Sequence, residues 1–397
     1  MFGFRHLKTR QLRLPADSNA PPRLRRSPLA LVPVAFLTLA CGSPLGHPLN
    51  DAADQTELRV SQQSAPAAAP PEGRSATPQQ AKPVEPTLRY GCKEPLPKSP
   101  GSVRLATYNV ENLFDDHDDP SISGDIDDKT MTTPTSRLRA IADTIKRLDA
   151  DVLALQEIES KAALLQFRDG YLQGLGYDHV ASVDAGDGRG IEQAVLSRVP
   201  ITNVVNWPRE AIADMDAKRT GDGWSKLAAD AMPKRWARSP LMVDLRTKDG
   251  YELTLFVVHH KAGGRQFDAQ RELEALQVVE LATARLAKEP QRNLAVIGDF
   301  NATPTRKSIR VYFDAGFKNA YDKRFDRKAS AAMYLTHITN RPIDFIFMSA
   351  GLDADTIDNS FFVLGTPLPP SDASEDIEVA GYASDHLPVA IDLHPKD

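Results

Sequence analysis

Residues 381–393 read GYASDHLPVAIDL. From Leu387 onward the apolar residues alternate, the pattern of a strand with one face buried. Asp385 and His386, two side chains that a core excludes, stand where that strand opens. Taken alone they read as strand-end punctuation, a Ser-Asp turn followed by a solvated histidine. The same arrangement recurs at the ends of other apolar runs, and that recurrence decides the reading.

VRLATYNV (103–110) is strand-like in its β-branched and alternating residues and ends at Asn109. DVLALQEI (151–158) is almost continuously apolar, as in a sheet covered on both faces, yet it carries Glu157. EQAVLSR (192–198) is a further strand. YELTLFVVHHK (251–261) ends on His259 and His260, and NLAVIGDF (293–300) ends on Asp299, with Asn301 just beyond. PIDFIFMS (342–349) holds Asp344 between apolar neighbours. A helix is expected from Ser136, where Leu138, Ile141, Ile145 and Leu148 recur at helical spacing, and another over about 267–287. Strands outnumber helices, which predicts two packed sheets with helices outside, in one domain.

Each polar residue has an ordinary reading by itself. Asn109 and Asn301 suit turns or caps, and Asp344 suits a satisfied core carboxylate. Together they do not stay ordinary, because burying Glu157 and Asp344 without partners is too costly. Four carboxylates, two asparagines and two histidines on one rim make a hard-cation site with acid/base groups beside it. Oxygen donors favour Mg²⁺, Mn²⁺ or Ca²⁺ over Zn²⁺. No His-Glu-x-x-His helix is present, and the only cysteines, Cys41 and Cys92, are expected outside the folded body.

The chain has 397 residues, of which 41% are hydrophobic and 25% charged, an ordinary soluble composition. Its net charge of -5 is uneven: residues 1–100 carry 13 Lys/Arg against 7 Asp/Glu, so the rest is strongly acidic. Such a body repels a polyanion unless bound cations or a local basic groove offset it. Residues 115–128 hold seven Asp without the spacing or glycine of an EF-hand, and read as a solvated loop. Residues 1–41 read as a secretory signal: seven basic residues precede the apolar run LALVPVAFLTLA, which ends at Cys41, a candidate lipidation site. Residues 42–100, rich in Pro, Ala and Gln, read as a disordered tether, and 101–397 as the catalytic domain. Export, to the cell envelope or outside the cell, is expected.

TYNVENLF, LALQEIE, RGIEQAVLSR, HHK, IGDFNATP, PIDFIF and SDHLPV occur in that order over 103–393. In this series the chain resembles the endonuclease/exonuclease/phosphatase superfamily. The resemblance implies a deoxyribonuclease-I-like four-layered α/β sandwich, two packed mixed β-sheets flanked by helices. It implies Glu157 as the principal metal ligand, helped by Asn109 and Asp385. Asp299 or His386 would activate the attacking water, Asn301 would hold the scissile phosphate, and Asp344 would orient His386. His259 would face the phosphate from the other side. Arg189, in DGRGIEQAVLSR, is a candidate phosphate contact, with Lys261 and Arg238 behind it. Relatives with an Asn-His-Phe-Lys pattern have Asn where this chain has Val258 and Phe where it has His260. Aligning on Lys261 makes His259 the active histidine, and a shift of one residue would promote His260. Neighbouring strand residues face opposite sides, so only one can point into the site.

The expected activity is divalent-metal-dependent phosphodiester hydrolysis by a monomeric secreted or surface-anchored nuclease acting on DNA or RNA. Membrane contact is expected only through an N-terminal lipid anchor, and no protein partner is expected. A phospholipid or inositol-phosphate phosphoesterase is the alternative. It would need an apolar hairpin or a basic headgroup pocket, for which the stretch 206–238, with Trp207, Trp224 and Trp236, is the one candidate. A non-catalytic surface protein is the remaining class.

Overall fold

The computed structural model describes residues 88–117, 131–226, 233, 235–370 and 379–395. The signal, Cys41, most of the tether and most of the Asp-rich loop lie outside these residues. Among the described residues no helix is long and apolar enough to cross a membrane.

In chain order the main elements are β1 (Val103–Leu113), α1 (Thr135–Leu148), β2 (Val152–Ile158), α2 (Lys161–Tyr171), β3 (His179–Ser182), β4 (Glu192–Ser197) and β5 (Ile201–Asn206). There follow β6 (Leu241–Arg246), β7 (Glu252–His259), α3 (Asp268–Lys288), β8 (Asn293–Asp299), α4 (Lys307–Asp314) and β9 (Lys318–Asn319). The chain closes with β10 (Asp344–Met348), α5 (Ala350–Asp355), β11 (Phe362–Val363) and β12 (Val389–Leu393).

They form two six-stranded mixed sheets, ordered β11-β12-β1-β2-β4-β3 and β5-β6-β7-β8-β10-β9. At the heart of each lies one parallel pair joined through a helix, β1-α1-β2 in the first and β7-α3-β8 in the second. Leu105, Val152, Leu255, Ile297 and Ile346 are among the residues that fill the layer between the sheets. Alternate residues of the first sheet pack with α1 and α2, and those of the second with α3 and α4. This is the four-layered α/β sandwich.

Side-chain alternation explains where the polar residues emerge. Asn109 follows the parity of Leu105, His259 that of Leu255 and Val257, Asp299 that of Ile297, and Asp344 that of Ile346. All four therefore project into the space between the sheets at one end of the sandwich. Glu157 has the wrong parity, since Leu153 and Leu155 face the helices. Its φ of +64° and a register irregularity between Gln156 and Ile158 turn it to the same end.

Several expectations are corrected. β1 does not end at Asn109; it runs on to Leu113 through Glu111 and Asn112, both with positive φ. β12 begins at Val389, not at Asp385, and the segment before it pairs with another part of the chain. Cys92 is not outside the folded body. Tyr90 and Cys92 are buried, and the Cys92 N–H donates to the Val363 carbonyl at 2.7 Å. The segment before Val103 thus covers the edge beside β11. Its backbone is further fixed by Arg104, a fully buried guanidinium that donates to Leu96 O and to both oxygens of Asp392.

The tryptophans of 206–238 serve packing. Trp236 is buried, and Trp207 stacks on Phe256 with centroids 6.0 Å apart. Trp224 is half-buried under the cations of Arg219 and Lys307.

Candidate active site

Five strands, β1, β2, β7, β8 and β10, and the segment leading into β12 converge. Asn109 Nδ2 donates to Asp299 Oδ2 at 3.2 Å and to Glu157 Oε1 at 3.4 Å. Its Oδ1 accepts the Glu111 N–H at 3.0 Å, so in this rotamer Asn109 orients the two carboxylates with its amide donors. His259 Nε2 lies 3.6 Å from Glu157 Oε1 and 3.5 Å from Asp299 Oδ2, and neither ring nitrogen has a hydrogen-bond partner. Two carboxylate oxygens from different sheets therefore face one point, beside an unpartnered buried imidazole. Carboxylate oxygens are the donors a hard divalent cation takes, and Glu157, with one oxygen beside the unpartnered His259 ring, is the residue that would hold it.

The opposite wall is a carboxylate–imidazole pair. His386 Nδ1 donates to Asp344 Oδ2 at 2.9 Å, and its Nε2 points toward Asp299 Oδ2 at 3.7 Å. Asp344 and Asp299 are cross-strand partners in the β10–β8 ladder, so their spacing is set by the sheet. Gly298 is required beside them. A Cβ there would stand 2.1 Å from the Val258 carbonyl oxygen, where β7 and β8 approach, and its φ is +140°.

The two facing histidines are driven in opposite directions. Burial, reinforced by the guanidinium charges of Arg238 and Arg189, holds His259 well below the usual imidazole value. Burial also opposes charge on His386, but Asp344 and Asp299 outweigh it and raise His386 well above that value. Burial likewise pushes Asp299 up to about 6, against the charge of His386. An acid in that range can both lose and regain a proton near neutrality.

The structure answers the histidine register. His260 faces away, its Nε2 2.8 Å from the Tyr312 hydroxyl and its Nδ1 3.4 Å from Glu274. Asn301, at φ +49°, gives its backbone N–H to Asp299 Oδ1 at 2.8 Å. Its amide donates to Asp299 Oδ2 and to the His260 carbonyl, both at 3.1 Å, so a phosphate contact would exchange one of these bonds. Asp385 Oδ1 lies 3.9 Å from His386 Nε2, the nitrogen that also faces Asp299, and Asp385 Oδ2 lies 3.2 Å from His337 Nε2. A hydrogen bond from His337 and the charge of His386 hold the Asp385 carboxyl below its ordinary value, against burial that raises it.

Arg189 reaches Glu157 Oε2 at 3.4 Å and also bonds Asn112 Oδ1, its side chain still 37% exposed at the rim. Lys261 lies over the Phe267 ring at 4.8 Å. Arg238 is no phosphate contact. It is buried and fully engaged, donating to the His259 and His260 carbonyls and to Asp187. Beside the site runs a groove of about 930 Å³, whose lining includes Arg189, Arg235, Lys261 and Gln266.

Sequence reasoning missed His337. It sits in YLTHITN, which has no apolar periodicity, and only its pairing with the SDH segment brings it to the site. The Asp115, Asp116 and His117 cluster at the start of the Asp-rich loop is mostly exposed and lies apart from these residues.

A family model described as the Endonuclease/Exonuclease/phosphatase family matches residues 106–386. A search of curated proteins finds no match. Among solved structures, the human nocturnin catalytic domain with bound sulfate is 16% identical, covering 74% of this chain and 95% of that one, at a TM-score of 0.48. A Bacteroides thetaiotaomicron protein of the endonuclease/exonuclease/phosphatase family is 21% identical, over 74% and 98% of the two chains, at 0.47. A Bacteroides vulgatus endonuclease/exonuclease/phosphatase is 17% identical, over 74% and 99%, at 0.46.

Proposed function

The chain belongs to the endonuclease/exonuclease/phosphatase family, and from that premise we propose that it is a divalent-metal-dependent phosphodiester hydrolase whose substrate is nucleic acid. The observation that carries the reading is the pair of facing walls, the Glu157 and Asp299 carboxylates bridged by the Asn109 amide on one side and the Asp344–His386 pair on the other.

A divalent cation at the carboxylate oxygens would neutralise charge developing on the phosphate. The chain's own groups divide the remaining work. Asp299, raised toward neutrality, is placed to accept the proton of the attacking water. His386, kept protonated by Asp344, offers its Nε2–H to a phosphate oxygen or to the departing alkoxide. His259, kept neutral, is a second donor that adds no charge to the ground state. Arg189 at the rim supplies a fixed charge for the phosphate.

Nucleic acid is favoured over lipid by the surface beside the site. The groove carries Arg189, Arg235 and Lys261, a local basic strip on an otherwise acidic body. Among the described residues the large exposed apolar side chains, such as Val183, Val204 and Tyr321, are scattered and build no apolar hairpin. The basic start of the chain and its short apolar run support export, with Cys41 as a lipid anchor.

The test is a substrate panel with the purified protein in Mg²⁺: supercoiled DNA, single-stranded RNA, sphingomyelin and an inositol polyphosphate. Hydrolysis of DNA or RNA whose rate falls as salt rises, and a raised KM in Arg189→Met, would support the proposal. Faster turnover of sphingomyelin or the inositol phosphate than of either nucleic acid would reject it.

A further inference from the structure

His337 lies on no regular strand or helix. It opens a turn that ends at Arg341, with which it forms an isolated bridge, and Asn340 takes a φ of +61° within it. The backbone on either side is paired with the SDH segment. Ile338 N–H donates to Asp385 O at 2.8 Å, and Leu387 N–H donates to Thr336 O at 2.8 Å. His337 itself is only 8% exposed, and its ring meets the His386 ring edge-on with centroids 4.5 Å apart.

The hydrogen bonds around the ring assign its tautomer. The Thr339 backbone N–H donates to His337 Nδ1 at 3.1 Å, so Nδ1 is an acceptor. The Thr339 hydroxyl oxygen, 2.7 Å from the same Nδ1, accepts from Arg341 Nε at 2.7 Å, which leaves its own proton to point at the ring. With Nδ1 facing two donors, the ring proton sits on Nε2. That nitrogen is 3.2 Å from Asp385 Oδ2 and donates to it.

Resting on the proposed phosphodiester hydrolysis, we propose that His337 is a positioning residue of this site: its Nε2–H, fixed by the Arg341–Thr339 chain, holds the Asp385 carboxylate while its ring edge braces His386. Without it, Asp385 keeps backbone ties but loses the donor that sets its carboxylate plane, and one side of His386 opens. The same three side chains, His337, Asp385 and His386, are close enough together to share an ion. The assigned tautomer argues against that use, because a protonated Nε2 has no lone pair for a metal.

His337→Ala and His337→Gln test the role, the glutamine because its amide can restore an N–H donor. Loss of a group that orients an active-site carboxylate typically costs about 10- to 100-fold. The expected result is a kcat lower by about that factor in His337→Ala, with KM and direct Mn²⁺ binding unchanged, and recovery to within about threefold in His337→Gln. Ring ¹⁵N signals of the wild type should show His337 protonated at Nε2, a readout that does not depend on activity. Unchanged kcat in His337→Ala, no rescue by glutamine, or lost Mn²⁺ binding would overturn the proposal, as would a ring protonated at Nδ1. If His337→Ala does not fold, the glutamine variant and the ring spectrum decide. Failure of the wild type to cleave any phosphodiester would instead reject the functional reading, and the spectrum would still decide the His337–Asp385 bond.

Discussion

The two halves of the sandwich share an architecture and differ in what they do with it. Each has a parallel pair bridged by a helix, and each delivers polar residues from the ends of that pair: Asn109 and Glu157 from β1 and β2, His259 and Asp299 from β7 and β8. The second half does this by plain alternation, with one glycine where the strands approach. The first needs distorted backbone, with Glu111, Asn112 and Glu157 all at positive φ. Such conformations persist only where the surroundings enforce them. On the proposed reading the two tasks divide by residue and not by sheet: Glu157 of the first half would hold the cation, while the groups that hold or move protons come from both halves, Asp299 and Asp344 from the second and His386 from the segment before β12 of the first.

The largest expected effects separate those tasks. Glu157→Gln should lower kcat about 10³-fold and raise the metal concentration needed for half-maximal rate. His386→Ala should cost a similar factor while direct Mn²⁺ binding persists. Calorimetric metal titration beside kinetics checks the pair, and equal loss of metal binding in both variants would erase the distinction.

Asp344→Asn comes next. Removing the negative charge that raises His386 should lower its pKa, so the alkaline limb of the pH–rate profile should move to lower pH. Maximal kcat should fall about 10- to 100-fold. An unmoved limb would mean that His386 is not the group titrating there.

Arg238→Met probes how the end of β7 is held. It strips a buried partner from Asp187 and from two carbonyls, and should cost about 3 kcal/mol in urea unfolding. A cost near zero would show that the β7 rim stands without it.

The smallest effect lies at the rim of the first half. Glu192, paired with Ser182 and buried, is raised from 4.5 to about 7, chiefly by desolvation. The fold thus prefers this acid protonated. Its contribution is fully present below pH 4.5 and is lost as pH rises through about 7. Glu192→Gln should gain about 1–3 kcal/mol near pH 8 and nothing near pH 4, as read from melting curves.

What the sequence revealed follows from burial. Glu157, Asp299 and Asp344 stood out because each interrupts an apolar run, and the β7, β8 and β10 runs are long enough to be unmistakable. β5 was not seen because its ITNVVN residues lie on an exposed edge and carry no clear alternation. The helix α2 was missed as well, and the backbone turn at Glu157 leaves no compositional trace. Cys92 and Arg238 were misplaced for a related reason. Their burial depends on partners remote in the chain, Val363 for one and Asp187 for the other. His337 belongs with them, since only the pairing of Ile338 with Asp385 carries it to the site.

The most direct test of the account is supercoiled plasmid incubated with the purified protein in Mg²⁺, Mn²⁺ or EDTA, with His386→Ala in parallel. Nicked circles should form with metal, none with EDTA, and almost none from the variant while it remains folded. Plasmid left intact by folded wild-type protein with every metal, or nicking that survives EDTA or the loss of His386, would contradict it.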